Sequence, residues 1–201
     1  MRRIAAAFIL LGSITALAMT QPEKPANHPK PPVPAGHPAA PISSAWPKAN
    51  PDDVKSIDAL LAAMYKATGG APNQPREWDR YRSLFSPDAR LIAARPGGEG
   101  AATAMFLTVS NFVDSNRAYF EKGGFFDKEV SRRVETFGNI THVWSTYESR
   151  HKADDPTPYV RGINSIQLLK DGDRFWIVNL FWDFEREDSP IPEKYLKGIS
   201  N

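Results

Sequence analysis

Apolar positions along this chain change their period, and each change marks an element. Val54, Ile57, Leu60, Leu61, Met64 and Tyr65 recur at three-and-four spacing, the stripe of an amphipathic helix. Asp52 and Asp53, just after Pro51, suit its N-terminus, and Gly69-Gly70 ends it. A shorter helix over about 76–84 carries Trp78, Tyr81 and Leu84, and a short strand follows over about 90–94. A third helix over about 109–122, capped by Thr108, turns Phe112, Val113, Asn116, Tyr119 and Phe120 to its packing side. From there the period shortens to that of strands. Residues 125–137 and 139–151 read as a hairpin turning at Gly138-Asn139, and 160–169 and 175–184 as a second turning at Asp171-Gly172.

The last strand is the exception to alternation. Phe175, Trp176, Ile177, Val178, Leu180, Phe181, Trp182 and Phe184 are interrupted before Glu185 only by Asn179 and Asp183. A strand with one wet face alternates, so this one is expected to be covered on both. An amide and a carboxylate four apart on one face of it suggest a cavity with a few polar groups. If Phe175 and Ile177 face inward, Asn179, Phe181 and Asp183 follow. On the neighbouring strands the preferred inward sets are Asn164, Ile166 and Leu168, and Thr141, Val143, Ser145 and Tyr147, with His142, Trp144, Glu148 and Arg150 outward. A slip of one residue would exchange a whole set.

Composition narrows the class. The chain has 201 residues, 24% charged, with a net charge of +2, an ordinary globular balance. No Lys/Arg cluster exceeds Arg132-Arg133, which argues against nucleic acid as a partner. The absence of cysteine removes disulfides, thiol catalysis and Cys-zinc sites together. Met1-Arg2-Arg3, an apolar run to Ala18 and the small residues Ala16-Leu17-Ala18 have the parts of a signal peptide, residues 1–18, cleaved after Ala18. Export to a periplasm or the medium is expected, with no membrane association after cleavage. Residues 19–51 hold 10 of the 18 prolines, so they read as an extended linker with no core of their own. Trp46, near the linker's end, is a candidate to dock on the domain. The folded domain is then 52–201, its last residues an irregular strap with a helical turn near 193–197.

Helices grouped ahead of a meander indicate an α+β domain. The pattern resembles the NTF2-like (SnoaL-like, cystatin-like α+β) superfamily over roughly 52–185. The carriers are the first helix with its stripe, the run Leu84-Phe85-Ser86-Pro87-Asp88-Ala89, and Asp171-Gly172 leading to Phe175-Trp176-Ile177-Val178. The ending from Trp182-Asp183-Phe184-Glu185 through Pro190-Ile191-Pro192 is similar to that of uncharacterised members. The resemblance implies a cone of three N-terminal helices packed on a curved, mostly antiparallel sheet, a deep pocket between them, and a homodimer through the sheet's outer face. The superfamily includes isomerases, dehydratases and cyclases beside proteins that only bind, and fold alone does not choose among them.

The preferred pocket list is Tyr65, Trp78, Tyr147, Asn164, Asn179 and Asp183, which suits a small apolar molecule held by a few hydrogen bonds. The leading function is ligand binding without defined catalysis. One alternative is a cofactor-independent isomerase, dehydratase or cyclase using Asp183 or His142 as acid/base. The other is a dimeric protein-interaction module. Arg161 is a candidate clamp for an anion, against an ordinary cross-strand pair. No cofactor is expected: the glycines of 95–100 lack a Gly-Lys-Ser/Thr ending. No metal is expected either, since His142 and His151 are nine apart with no paired-ligand motif.

Overall fold

A computed structural model describes residues 46–200, without the side chains of Glu99, Ile199 and Ser200. The expected signal peptide and the expected linker as far as residue 45 lie outside the described residues. Trp46 docks on the domain, its indole N–H donating to the Phe85 carbonyl at 3.2 Å while its ring packs on the core.

The first helical stretch is two helices, not one. Asn50 caps α1 (Pro51–Val54) by accepting from the Asp52 N–H, and Pro51 stands at its start, where a missing N–H costs nothing. Ser56 is extended (φ −145°, ψ 163°), and its hydroxyl accepts from the Ala59 N–H at 3.1 Å, opening α2 (Ile57–Thr68) as a fresh helix. The expected stripe holds: Leu60, Leu61, Met64 and Tyr65 of α2 are all buried. Next come α3 (Trp78–Ser83), β1 (Phe85–Pro96) and β2 (Ala102–Thr108). The strand β1 is longer than its apolar core suggested, and β2 was not expected at all. Thr108 caps α4 (Val109–Gly123), accepting from the Asn111 N–H. The two hairpins follow as β3 (Phe126–Phe137) with β4 (Ile140–Arg150), and β5 (Val160–Asp171) with β6 (Arg174–Phe184). Their turns rest on Gly138 (φ 56°) and Gly172 (φ 54°), a region glycine enters without strain. A 3-10 turn at Glu193–Tyr195 and the two-residue β7 (Ile199–Ser200) complete the strap.

The sheet runs β2-β1-β6-β5-β4-β3-β7. It is mixed, because β1 lies parallel to β6 and β7 parallel to β3, while every other pairing is antiparallel. The α+β class stands, but the arrangement of three N-terminal helices does not: the long α4 enters only after two paired strands. One core joins Leu60, Leu61 and Met64 to Leu84, Phe85, Val113, Val143, Ile166, Leu168 and Ile177. On the other face of β4 the strap crosses, Thr146 donating to the Tyr195 carbonyl at 2.7 Å beside the Trp144 ring.

The inward sets of β4 and β5 are found where alternation places them, with Thr141, Val143, Ser145, Tyr147, Asn164, Ile166 and Leu168 all buried. On β6 the parity breaks. Leu168 pairs with Ile177 and Gln167 with Asn179, leaving Val178 as an extra residue. This bulge moves Leu180 and Trp182 to the inner face, opposite Ile166 and Asn164, and sends Asn179, Phe181 and Asp183 the other way.

Candidate functional site

Between the helices and the inner face of the sheet lies a cavity of about 420 Å³. Its walls are mainly aromatic: Tyr65 from α2, Tyr81 from α3, Phe112, Tyr119 and Phe120 from α4, Phe125, Tyr147 from β4, Tyr159, and Trp182 and Phe184 from β6. Met64, Val160 and Leu180 fill the gaps, and Thr68, Asn116, Asp127, Ser149 and Asn164 supply the polar atoms. Ring contacts hold the wall together, with Phe120 edge-on to Phe125 at 4.2 Å and Phe112 edge-on to Trp182 at 6.0 Å. Tyr119 and Tyr159, both largely exposed, approach each other at 3.4 Å through their hydroxyls at the solvent side. His151 stacks on Tyr159 at 4.0 Å between centroids.

Asp127 is the one ionisable carboxylate in the lining. It sits on β3 directly opposite Ser149 of β4, whose hydroxyl donates to its Oδ1. No other hydrogen bond reaches its side chain among the described residues. The residue as a whole is half-buried and lines the cavity, while its carboxyl is largely removed from solvent. This desolvation pushes its pKa from 3.8 up to about 7, with the Ser149 hydrogen bond pulling the other way. Its charge is felt by four phenols: burial raises Tyr65, Tyr81, Tyr147 and Tyr159 well above the ordinary phenol value, and Asp127 adds to the rise in each. The phenols therefore stay neutral, and the lining contains no Lys, Arg or His.

A second polar chain leads from the cavity into the protein. Asn164 Nδ2 donates to Tyr65 Oη at 3.0 Å, and Tyr65 Oη lies 2.8 Å from Ser145 Oγ. Ser145 donates in turn to Glu129 Oε1. Glu129 accepts from Arg132 through Nε at 3.0 Å and through a second guanidinium nitrogen, and Arg132 also pairs with Asp58. Because Ser145 gives its proton to Glu129, Tyr65 must give its own to Ser145, so Asn164 is the donor at the cavity end. Burial works against the Arg132 cation, but Glu129 and Asp58 more than offset it and hold its pKa above the ordinary value. Tyr147 is placed by a missing side chain: a Cβ at Gly162, its partner on β5, would stand 2.6 Å from Tyr147 Oη.

Tyr65, Tyr147 and Asn164 thus meet in the cavity. Trp78 does not line it; it is core, donating to Glu121 Oε1 at 2.8 Å and edge-on to Phe120. Asn179 and Asp183 are turned away by the β6 bulge, and Asp183 binds Arg186 at 2.6 Å. His142 is on the outer face, 3.0 Å from Ser165 Oγ and edge-on to Trp144. Arg161 lies 3.8 Å from Glu148 and 3.5 Å from Glu185, the ordinary cross-strand reading. The residues that sequence reasoning missed are Asp127 and Ser149, with Glu129 and Arg132 behind them. The signal was available in part, since the turn at Gly138 sets Asp127 within one residue of Ser149. Among the described residues no group of three His, Cys, Asp or Glu side chains could hold a metal ion.

Comparison with known proteins agrees with this architecture. A protein of Novosphingobium aromaticivorans, assigned as the beta subunit of an aromatic-ring-hydroxylating dioxygenase, superposes with a TM-score of 0.50 at 14% identity, over 65% of this chain and 87% of that one. A Nostoc punctiforme protein of unknown function with a cystatin-like fold gives 0.49 at 10% identity, over 65% and 90%. An NTF2-like protein of unknown function from Pseudomonas putida gives 0.49 at 12%, over 66% and 88%. The likeness to the dioxygenase subunit is one of α+β fold. No family model and no curated protein matches the sequence. Identities this low make the likeness one of fold, so the chemistry of this domain has to be argued from its own cavity.

Proposed function

We propose that this NTF2-like domain binds a small, largely apolar molecule between helices and sheet, with aromatic faces for its body and Asp127 for its polar end. The observation that carries the reading is a carboxylate with one oxygen held by Ser149, lining an aromatic cavity of about 420 Å³. That volume and that mixture, mostly apolar with a few convergent polar atoms, suit a small organic ligand. The signal-like N-terminus would place the binding in a periplasm or the medium. Native mass spectrometry of the purified protein, followed by denaturing extraction, tests it directly. A bound molecule that is lost on Leu180→Trp, which fills the cavity, is the expected result. No retained molecule, together with no binding from an apolar fragment library, would remove the reading.

A second reading is favoured by the placing of Asp127 in the aromatic cavity, where desolvation raises its pKa to about 7. A carboxylate poised there can take a proton from a carbon next to a ligand carbonyl and return it at another carbon, an isomerisation needing no cofactor. Asp127 then replaces Asp183 and His142 in the acid/base role. The neutral Tyr147 hydroxyl, which makes no hydrogen bond among the described residues, is the available donor to the developing oxyanion. Exchange of ligand C–H for deuterium in heavy water, abolished in Asp127→Asn, is the expected signature. Exchange that persists in that variant would exclude Asp127 as the base.

A further inference from the structure

The cavity's polar atoms are unbalanced in charge and in hydrogen-bonding sense. Asp127 carries the one negative charge in the lining, and no cationic side chain is there to answer it. Glu129 shows how this fold treats a buried carboxylate that needs no external partner: it surrounds it with Arg132 and Ser145. Asp127 receives one neutral hydroxyl only. Asn164 spends an amide N–H on Tyr65, and its Oδ1 has no partner among the described residues, so it offers an acceptor. Ser149 on β4 donates to Asp127, and the phenols that feel its charge are Tyr65 on α2, Tyr81 on α3, Tyr147 on β4 and Tyr159 ahead of β5; the other polar groups of the lining, Thr68, Asn116, Tyr119 and Asn164, are neutral. Ring faces carry the negative end of the aromatic quadrupole, and a cation over them is attracted.

Building on the ligand-binding reading, we infer that the cavity selects a lipophilic organic cation, an aromatic or alicyclic amine whose ammonium group pairs with Asp127 among the surrounding rings. The ligand supplies the counter-ion that the protein withholds. The ammonium donates to Asp127 Oδ2 and, in ligands with a second N–H or O–H, to Asn164 Oδ1. The apolar body lies against Phe120, Phe125 and Trp182. A carboxylic acid of the same shape is repelled, and a neutral alcohol gains the apolar contacts alone.

Isothermal titration of the purified protein with naphthylmethylamine, naphthylmethanol and naphthoic acid tests this at matched shape. At pH 8 the amine should bind at least about tenfold more tightly than the alcohol, and the acid more weakly than either. Asp127 must be ionised to pair, so the amine's affinity should fall by about tenfold or more on going from pH 8 to pH 5, while the alcohol's holds. Asp127→Asn should bring amine and alcohol together, and Leu180→Trp should weaken all three. Equal affinities for amine and alcohol in the wild type, with both lost in Leu180→Trp, would overturn the cation preference and leave the binding reading intact. Failure of all three, and of an apolar fragment library, would overturn the binding reading itself and this inference with it.

Discussion

Two carboxylates two residues apart on β3, Asp127 and Glu129, face the same side and have opposite fates. Glu129 is held by Nε and one terminal nitrogen of the Arg132 guanidinium and by the Ser145 hydroxyl. Asp127 has Ser149 and the cavity. The fold plainly can neutralise a buried acid at this depth, and it does so only for the one that faces packed protein. An uncompensated carboxylate is destabilising, and sites of function are where such costs are tolerated. The pair therefore sets a compensated charge against an uncompensated one without any appeal to related proteins.

The sharpest way to break the comparison is to strip Glu129 of its partner. Arg132→Met leaves a buried carboxylate without its cation, and loss of one member of a buried pair costs roughly 3–5 kcal/mol. For a domain of this size that is a fall in Tm of about 10 °C by calorimetry. Asp58, mostly exposed, contributes little of it. A fall of only a degree or two would mean that Glu129 is no better compensated than Asp127.

Asp127→Asn should act in the opposite sense. The folded value of about 7 lies above the ordinary 3.8, so ionisation opposes folding. Below about pH 4 nothing is lost. The penalty grows from there to about pH 7, and above that it is complete, on the order of 4 kcal/mol at the upper limit. The variant carries no such penalty. Its Tm should match the wild type near pH 4 and exceed it increasingly up to pH 7. A variant no more stable than wild type at pH 8 would show that Asp127 is compensated after all.

The same two strands explain what could be read in advance. On β4 the run Thr141, Val143, Ser145, Tyr147 alternates and keeps unbroken register with β5, so facing followed from sequence. On β6 nearly every residue is apolar, and no alternation exists to betray the extra residue at Val178. Simple alternation therefore puts Asn179 and Asp183 inward, the face opposite to the one the bulge gives them. On β3, Asp127-Lys128-Glu129 has the composition of a solvated strand. Only the partners brought by β4 and by Arg132 beyond the Val130 bulge show that its acids point in. The strand β2, Ala-Thr-Ala-Met-Phe-Leu-Thr and largely exposed, offers no hydrophobic period to detect. The helices were legible because caps and stripes are local, whereas a bulge is a property of two strands.

A smaller effect is expected from Ser149→Ala. It removes the one hydrogen bond that holds the Asp127 value down, so that value should climb further. The loss of the hydroxyl should cost about 1–2 kcal/mol. Carbon-detected NMR titration of the Asp127 carboxyl reads the first, and urea denaturation the second. An unchanged or lower NMR titration midpoint would mean that Ser149 does not donate to Asp127 in solution.

Tyr65→Phe should have the smallest effect, about 1 kcal/mol, because Ser145 keeps its bond to Glu129 and the freed Asn164 amide lines the cavity. Its value is in coupling. Tyr65 belongs to the chain that ends on Glu129, through Ser145, and shares no hydrogen bond with Asp127. A double-mutant cycle of Tyr65→Phe with Ser145→Ala should therefore give an interaction energy of about 0.5 kcal/mol or more. The cycle of Tyr65→Phe with Asp127→Asn should be additive to within about 0.5 kcal/mol. If instead Tyr65 couples as strongly to Asp127 as to Ser145, the two acids share one network across the cavity floor. Removing the charge at Asp127 would then disturb the Glu129 ion pair, and the division of labour on β3 would have to be given up.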